Sequence, residues 1–372
     1  MNQPCFVFWK INKNIKHNKS MFERWEAYGN LVYSQSQCKY PGISVLDFSS
    51  QSKVAELNQI SSHLILIRLP LPYKFPISFI KSLIFLKQTV GFQPVTLMIG
   101  EPIYSPVATL LISSIFQKEK RIQAQVHGEV RLSGSIKFFP KFLLFKIIQY
   151  ITFFFVQSVR FVSGHLLSKY KKFPLTKKYC FVAPIPIDLQ KVATKVIDGQ
   201  SLICVIGRLH QERNVRECLE ILINVTTEYP DAKVNFIGDG PLRGYLLKRV
   251  AELRLSDKIV SLGNISSNLE LQSIYSKMKI LLSCAATEGY GLSIREAALS
   301  GAYVVARESE GTISAEREFP KSISTFKNAS EGIEKITEIL EKPKPKLNLQ
   351  ELRKNQAQKN HAAMITLVQS WI

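Results

Sequence analysis

The stretch Lys279-Ile-Leu-Leu-Ser-Cys-Ala-Ala-Thr-Glu-Gly-Tyr-Gly-Leu-Ser-Ile-Arg-Glu296 is the part of the chain that decides the fold. Lys279 to Cys284 is a short apolar run of the kind a strand covered on both faces requires, which points to a parallel sheet. Glu288 then falls at the strand's carboxyl end, the edge where open parallel sheets bind ligands. Gly289 and Gly291 let a ligand approach the backbone closely, and a helix starting near Leu292 offers free N–H groups to phosphate oxygens. Glu296 sits about one turn into that helix. Ionised carboxylates only accept hydrogen bonds, and sugar hydroxyls donate them. The pattern therefore suits a sugar nucleotide, with one acid on a hexose and the other on a ribose. Taken alone, it equally fits a capped helix whose first-turn glutamate favours the dipole.

The surrounding sequence repeats the same grammar. Leu202 to Ile206, Val234 to Ile237, Ile259 to Leu262, Ile280 to Ser283, Tyr303 to Ala306 and Ile323 to Phe326 read as strands. Helices fit Val215 to Tyr229, Leu242 to Leu253, Leu269 to Met278 and Leu292 to Leu299. Such alternation implies parallel pairing in a doubly wound sheet. Gly207-Arg208-Leu209 follows the first of these strands, and Arg213-Asn214 precedes its helix. A cation near a helix N-terminus opposes the dipole and calls for an anion, which a diphosphate would supply; surface pairing with Glu212 or Glu217 is the alternative. Gly238-Asp-Gly-Pro241 closes the second strand, with Pro241 suited to a first helical position. Taken alone, it is one of many similar strand-to-helix turns.

In order and spacing, residues 200 to 316 resemble the nucleotide-sugar domain of the retaining group-one (family four) glycosyltransferases. The resemblance implies an α/β chain of two Rossmann-like domains facing across a cleft, the GT-B fold. It also implies that Arg208, Arg213, Gly238, Gly289, Tyr290, Gly291, Leu292, Glu296, Gly311 and Thr312 bind the donor. His127, which ends the strand Ile122 to Val126, becomes the histidine beside the donor sugar, and Glu288 holds that sugar rather than attacking it. A satisfied structural histidine is the plainer reading of His127. Retention then proceeds by front-face attack, with a departing phosphate oxygen helping to deprotonate the acceptor. Two departures stand out. Relatives usually have lysine where Arg213 stands, and guanidinium differs from ammonium in reach and hydration. The paired-glycine loop after the first strand is replaced by Lys10-Ile-Asn-Lys-Asn-Ile-Lys-His-Asn-Lys19, so the acceptor side cannot be carried over.

The first half reads as a second α/β domain. Cys5 to Trp9, Leu31 to Tyr33, Ile43 to Phe48, Leu64 to Leu69, Val95 to Ile99, Ile122 to His127, Val159 to Ser163 and Tyr179 to Ala183 are its expected strands, with helices at Ser20 to Tyr28 and Pro106 to Lys118. Pro184-Ile-Pro-Ile-Asp188 breaks the alternation. The domains are thus expected at 1–190 and 191–372, with a helical tail from Leu347 that in similar proteins crosses back to the first domain. The length of 372 residues and an apolar content of 46% allow each domain its own core. Six scattered cysteines without a C-x-x-C pair favour a reducing compartment and disfavour structural zinc. No secretory signal pattern opens the chain, so a cytosolic location is expected. No Asp-x-Asp occurs. The usual carboxylate clamp for a metal is missing, so no metal or other cofactor is expected and arginines and helix N-termini would neutralise the leaving group.

Charge is uneven. Residues 1–186 hold 24 Lys and Arg against 7 Asp and Glu, whereas 187–372 hold 25 against 22, so +17 of the +20 lies in the first half. No acid occurs between Glu129 and Asp188, where ten basic residues stand. Such a field attracts anionic phospholipid or nucleic acid. From Pro140, residues 142–156 would form a helix with Lys141, Lys146, Gln149 and Thr152 on one arc and a broad apolar face opposite. It is too short and basic to span a bilayer, and suits either an interfacial helix or a core helix. Membrane contacts are expected from Lys137, Lys141, Phe142, Phe145, Lys146, Lys171 and Lys172. Nucleic acid is disfavoured because the aromatics cluster in an apolar run rather than among the basic residues. The sequence thus points to a peripheral enzyme on the cytosolic membrane face. It would move a hexose from a nucleotide sugar to a lipid-linked oligosaccharide or polysaccharide acceptor, with a catalytically silent scaffold or partner subunit as the alternative.

Overall fold

A computed structural model describes residues 5–9, 19–36, 43–49, 53–70, 76–90, 95–99, 121–127, 143, 147, 151–170, 179–197, 201–345 and 347–371. Two compact units emerge: Met1–Pro184 together with Ala362–Ile372, and Ile185–His361. The division falls within the proline-broken segment, somewhat ahead of residue 190.

The first unit is built on eight strands in the order β3-β4-β2-β1-β5-β6-β7-β8. These are β1 (Cys5–Trp9), β2 (Ile43–Ser49), β3 (Glu56–Ser61), β4 (Leu64–Pro70), β5 (Val95–Ile99), β6 (Arg121–Val126), β7 (Ser158–Phe161) and β8 (Tyr179–Val182). All pairs are parallel except β3 with β4, an antiparallel edge hairpin. Strand β3, Glu-Leu-Asn-Gln-Ile-Ser, is polar and exposed and was invisible to a search for apolar runs; a polar strand suits a sheet edge. The expected strand Leu31 to Tyr33 is instead the end of helix α1 (Lys19–Ser36). Trp25, Tyr28 and Val32 are buried at helical spacing, and that periodicity overrides the local β-propensity. Helices α2 (Pro76–Val90) and α3 (Gly164–Tyr170) complete the described helices of known bounds in this unit, apart from the end of α10. The expected helix Pro106 to Lys118 lies outside the described residues.

One side of this sheet packs Leu64 and Leu66 against Trp25, Tyr28 and Val32 of α1 and against Leu367, Val368 and Trp371. Those last residues end α10 (Leu349–Gln369) and its final turn. The Trp371 indole N–H donates to Gln123 Oε1 at 3.0 Å, and its ring meets Tyr28 edge-on. Arg160 is buried, donating to Gln125 Oε1 at 3.1 Å and to the carbonyls of Ala183 and Pro184.

The second unit has a fully parallel six-stranded sheet in the order β11-β10-β9-β12-β13-β14. Its strands are β9 (Leu202–Ile206), β10 (Lys233–Ile237), β11 (Ile259–Gly263), β12 (Ile280–Ser283), β13 (Tyr303–Arg307) and β14 (Ile323–Phe326). Helices α4 (Val215–Glu228), α5 (Arg243–Glu252), α6 (Asn268–Lys277), α7 (Leu292–Leu299), α8 (Glu310–Glu318) and α9 (Ala329–Leu340) alternate with them. Two apolar clusters cover its two faces. One centres on α4, Phe236 and Phe326, and the other on Leu281, Tyr275 and α7. Pro241 precedes the helical body, which begins two residues later at Arg243. No helix among the described residues is long and apolar enough to cross a membrane.

Candidate functional site

Strand order locates the site. From β9 the chain moves outward to β10 and β11, then returns to place β12 on β9's other flank and continues to β13 and β14. The order therefore reverses between β9 and β12, and a crevice opens at the carboxyl ends of such a pair. Arg208 and Arg213 follow β9, and Glu288 follows β12.

The structure brings two of these together. Arg213 Nη1 donates to Glu288 Oε2 in a close ion pair, with the Glu288 side chain only 12% exposed. Arg213 ends a single 3₁₀ turn, Gln211–Arg213, and Asn214 after it adopts φ 47° and ψ 47°. That left-handed residue turns the chain into α4, and asparagine tolerates the conformation better than most side chains. Arg208 behaves differently. Its side chain is 72% exposed and it pairs with Glu212 one turn on. The surface pairing with Glu212 weighed as an alternative for Arg213 is made instead by Arg208, while Arg213 reaches across the crevice to Glu288.

Glu296 lies on α7, mostly buried, and accepts from the Tyr275 hydroxyl at 2.9 Å. Burial, followed by the adjacent Glu296 charge, raises the Tyr275 pKa well above its ordinary value, so that the phenol stays a proton donor. One oxygen of Glu296 is thereby oriented. Gly291 caps α7 at φ 71° and ψ 61°, a conformation that glycine reaches without strain, and Leu292 starts the helix. Tyr290 is buried beneath the Arg295 guanidinium, which lies 4.0 Å from the ring centroid and donates to the Tyr290 carbonyl.

The glycines of the neighbouring turns have a packing role. A Cβ at Gly238 would sit 2.0 Å from the Gly207 carbonyl oxygen, so the turn after β10 rests directly on the turn after β9. Leu209 N–H donates to the Asp239 carbonyl at 2.9 Å, which locks the two turns. Gly311 does the same on the other flank: its N–H donates to the Glu288 carbonyl at 2.8 Å, and an added Cβ would lie 2.3 Å from that oxygen. Gly289 is packed beside it. The Thr312 hydroxyl is committed to the helix cap, accepting from Ser309 N–H at 2.7 Å and donating to the Arg307 carbonyl at 2.9 Å.

Sequence reasoning missed three supports. Arg307, the last residue of β13, pairs with Glu217 on α4, and this bond raises the arginine's pKa. Arg295, 1% exposed, donates to Glu318 Oε2 at 2.8 Å. Tyr275 fixes Glu296. A cation ending a strand, and a cation beside the expected ligand glutamate within a mostly apolar helix, were the available signals. Cys284 and Cys218 are buried free thiols beside this crevice, and a mutual hydrogen bond, then burial, pushes the Cys284 thiol up. His127 stands exposed after β6 in the first unit. Lys137, Lys141, Phe142, Phe145, Lys146, Lys171 and Lys172 lie outside the described residues. Among the described residues no cluster of three His, Cys, Asp or Glu could hold a metal ion. The arrangement sets an acceptor carboxylate beside a guanidinium donor, with a second acid one helix turn further on. Chemically it matches hydroxyls adjoining an anion.

Residues 187–360 match the family described as glycosyl transferases group 1. The chain is 26% identical over 102 residues to alpha-monoglucosyldiacylglycerol synthase of Acholeplasma laidlawii, 27% of this chain and 25% of that protein. It is 28% identical over 109 residues to 2-deoxystreptamine glucosyltransferase of Streptomyces kanamyceticus, 29% of this chain and 28% of that one. The matches thus span about a quarter of each curated relative. Sucrose-phosphate synthase from Thermosynechococcus elongatus superposes with a TM-score of 0.70 at 14% identity, over 99% of this chain and 94% of that one. Anabaena HepE, solved with UDP and glucose, gives 0.64 at 13%, over 100% and 98%. These likenesses establish the α/β GT-B fold.

Proposed function

We propose, from the premise that residues 187–360 form a group 1 glycosyltransferase domain, that the crevice between β9 and β12 binds a nucleotide sugar and that the chain transfers its hexose with retention. The observation that carries this reading is the Arg213–Glu288 pair at the topological switch point. A diphosphate competes for the guanidinium while sugar hydroxyls take up the carboxylate, so donor binding replaces one ion pair by two complementary contacts. Leu292 at the start of α7 and the backbone of Gly289, Tyr290 and Gly291 present N–H groups to the phosphates. Glu296, oriented by the Tyr275 hydroxyl, accepts from the ribose. Gly238, Gly311 and Thr312 shape the walls, and Arg208 exchanges Glu212 for phosphate. By its likeness to relatives, His127 bonds a donor hydroxyl.

In the reaction, the acceptor hydroxyl oxygen bonds to the anomeric carbon on the face the phosphate leaves. The carbon–phosphate oxygen bond breaks, and the acceptor proton passes to the departing phosphate. Arginines and helix N-termini stabilise the developing charge without a divalent ion. The acceptor is a lipid-linked oligosaccharide or polysaccharide at the inner membrane face. This is supported by the +17 carried by residues 1–186 and by a relative named as a diacylglycerol glycolipid synthase.

Hydrolysis of radiolabelled sugar nucleotides tests the reading. The wild type should release free sugar from at least one UDP, GDP or ADP sugar, with the rate unchanged by EDTA. Glu288→Gln should lower that rate by about a hundredfold or more, as loss of a charge-assisted contact at the reacting centre does. Equal rates for the two proteins, or none for the wild type, would indicate a silent scaffold.

A further inference from the structure

The first unit's sheet has one side covered by α1 and the end of α10, and the other side carries a different layer. Phe153 packs edge-on to Tyr170 of α3, and Tyr170 meets Phe161 of β7. Arg160, the neighbour of Phe161 on that strand, points the opposite way and interacts with Tyr28 of α1. The helical segment 151–155 and α3 therefore lie opposite α1. Helix α2 connects β4 to β5, crossing the sheet in the same direction as the β6-to-β7 and β7-to-β8 connections, whereas α1 connects β1 to β2 in the reverse direction. Right-handed crossovers put α2 in the layer of α3.

Two elements of that layer present apolar outer surfaces. On α2, Ile77, Ile80, Ile84 and Phe85 are exposed, Ile77 by 71%, while Phe79 and Ser82 are buried. Residues 143, 147 and 151–155 are helical, and Leu143, Ile147, Ile151, Phe154 and Phe155 are all about half exposed. Thr152 and Val156 are buried instead. At 100° per residue the exposed set of α2 falls within an arc of about 140°, and Ile151, Phe154 and Phe155 within one of about 100°, each turned away from its buried neighbours. Thr152, grouped by sequence with the polar arc, is thus turned inward, and the apolar arc faces out.

Charge indicates what covers these stripes. Between Glu56 and Glu101 there is no acid, only Arg68, Lys74, Lys81 and Lys87, and Lys81 is exposed within the α2 arc. The segment from Glu129 to Asp188 is likewise free of acids between its ends. Apolar stripes of this size flanked only by cations match an anionic lipid surface, in which side chains enter the acyl boundary and cations meet headgroups.

We propose that the outer face of α2, together with the stripe at Leu143, Ile147, Ile151, Phe154 and Phe155, seats the first unit on an anionic phospholipid bilayer. The proposal deepens the membrane-facing part of the function above and rests on it, but adds α2 as a second contact. The first unit would then meet the membrane through two elements of one helical layer.

Flotation of the full chain with vesicles tests this. Vesicles of phosphatidylcholine alone and of equimolar phosphatidylcholine and phosphatidylglycerol are compared, with sugar-nucleotide hydrolysis in solution read in parallel. The wild type should float with the anionic vesicles and only weakly with the neutral ones. Ile80→Ser/Ile84→Ser and, separately, Ile151→Ser/Phe154→Ser should each lower the partition coefficient about tenfold or more. Ile77→Ser, at the most exposed of the four apolar side chains named on α2, should lower it with an unchanged melting temperature, which separates docking from folding. Hydrolysis should persist in every variant. An α2 double variant that floats like the wild type overturns the proposal, as does indifference to phosphatidylglycerol. So does a wild type that sediments as a dimer, ignores vesicles and becomes monomeric in the α2 variant, since the stripe then covers a second copy. Flotation intact without hydrolysis in the wild type would remove the transferase reading and leave this surface standing.

Discussion

At the scale of single residues, the crevice is governed by which acids already have partners. Glu288 is held by Arg213 alone among the described contacts, in a pair that a ligand can divide. Glu296 is held by the fully buried Tyr275. Removing that hydroxyl leaves a mostly buried carboxylate short of one donor, which costs about 1–3 kcal/mol. Tyr275→Phe should therefore lower the melting temperature measured by calorimetry and weaken donor binding, and an unchanged melting point would show that the bond contributes nothing. The two glutamates and Arg213 were legible because glycines, a strand end and a helix start fix their places in sequence. Arg295, Arg307 and Tyr275 were not, because each acts through a partner tens of residues away, such as Glu217 for Arg307. Spacing along the chain carries no record of such pairs.

At the scale of elements, the turn after β13 supports the turn after β12. Gly311 lets the start of α8 abut the Glu288 carbonyl, while Ser309 and Thr312 cap the helix reciprocally. Gly311→Ala would force two backbones apart, a strain of about 1–3 kcal/mol. The expected result is a lower melting temperature with a loss of donor affinity larger than the stability change explains. Full affinity would show that this turn does not hold Glu288 in place. Strands β9, β12 and β13 were readable because they are largely buried and their sequences are nearly continuous apolar runs. Helices α2 and α9 were missed despite local signals. Pro76 occupies a first helical position, and Asn328 accepts from Glu331 N–H at 3.0 Å as an N-cap. The apolar character of α2 on its outer side hid its period, since a helix with two apolar faces lacks the amphipathic pattern sought.

At the scale of the whole molecule, two Rossmann-like units are linked near Pro184, and α10 starts in one and ends in the other. The alternation of strands and helices made this architecture legible, but contacts between distant segments set the unit boundaries. Trp371 completes the first unit's core from the far end of the chain. Trp371→Ala should cost about 3–5 kcal/mol, the usual penalty for emptying a large aromatic site. Melting followed by tryptophan fluorescence checks this, and an unaltered transition would mean that the tail is dispensable to that core. The central claim is that Arg213 and Glu288 form the donor site at the switch between β9 and β12. Isothermal titration calorimetry of UDP, GDP and ADP sugars with wild type and Arg213→Ala tests it most directly. At least one sugar nucleotide should bind the wild type and lose about 1.5–3 kcal/mol of affinity in the variant. Equal affinity for both proteins, or no binding by the wild type, would contradict the account.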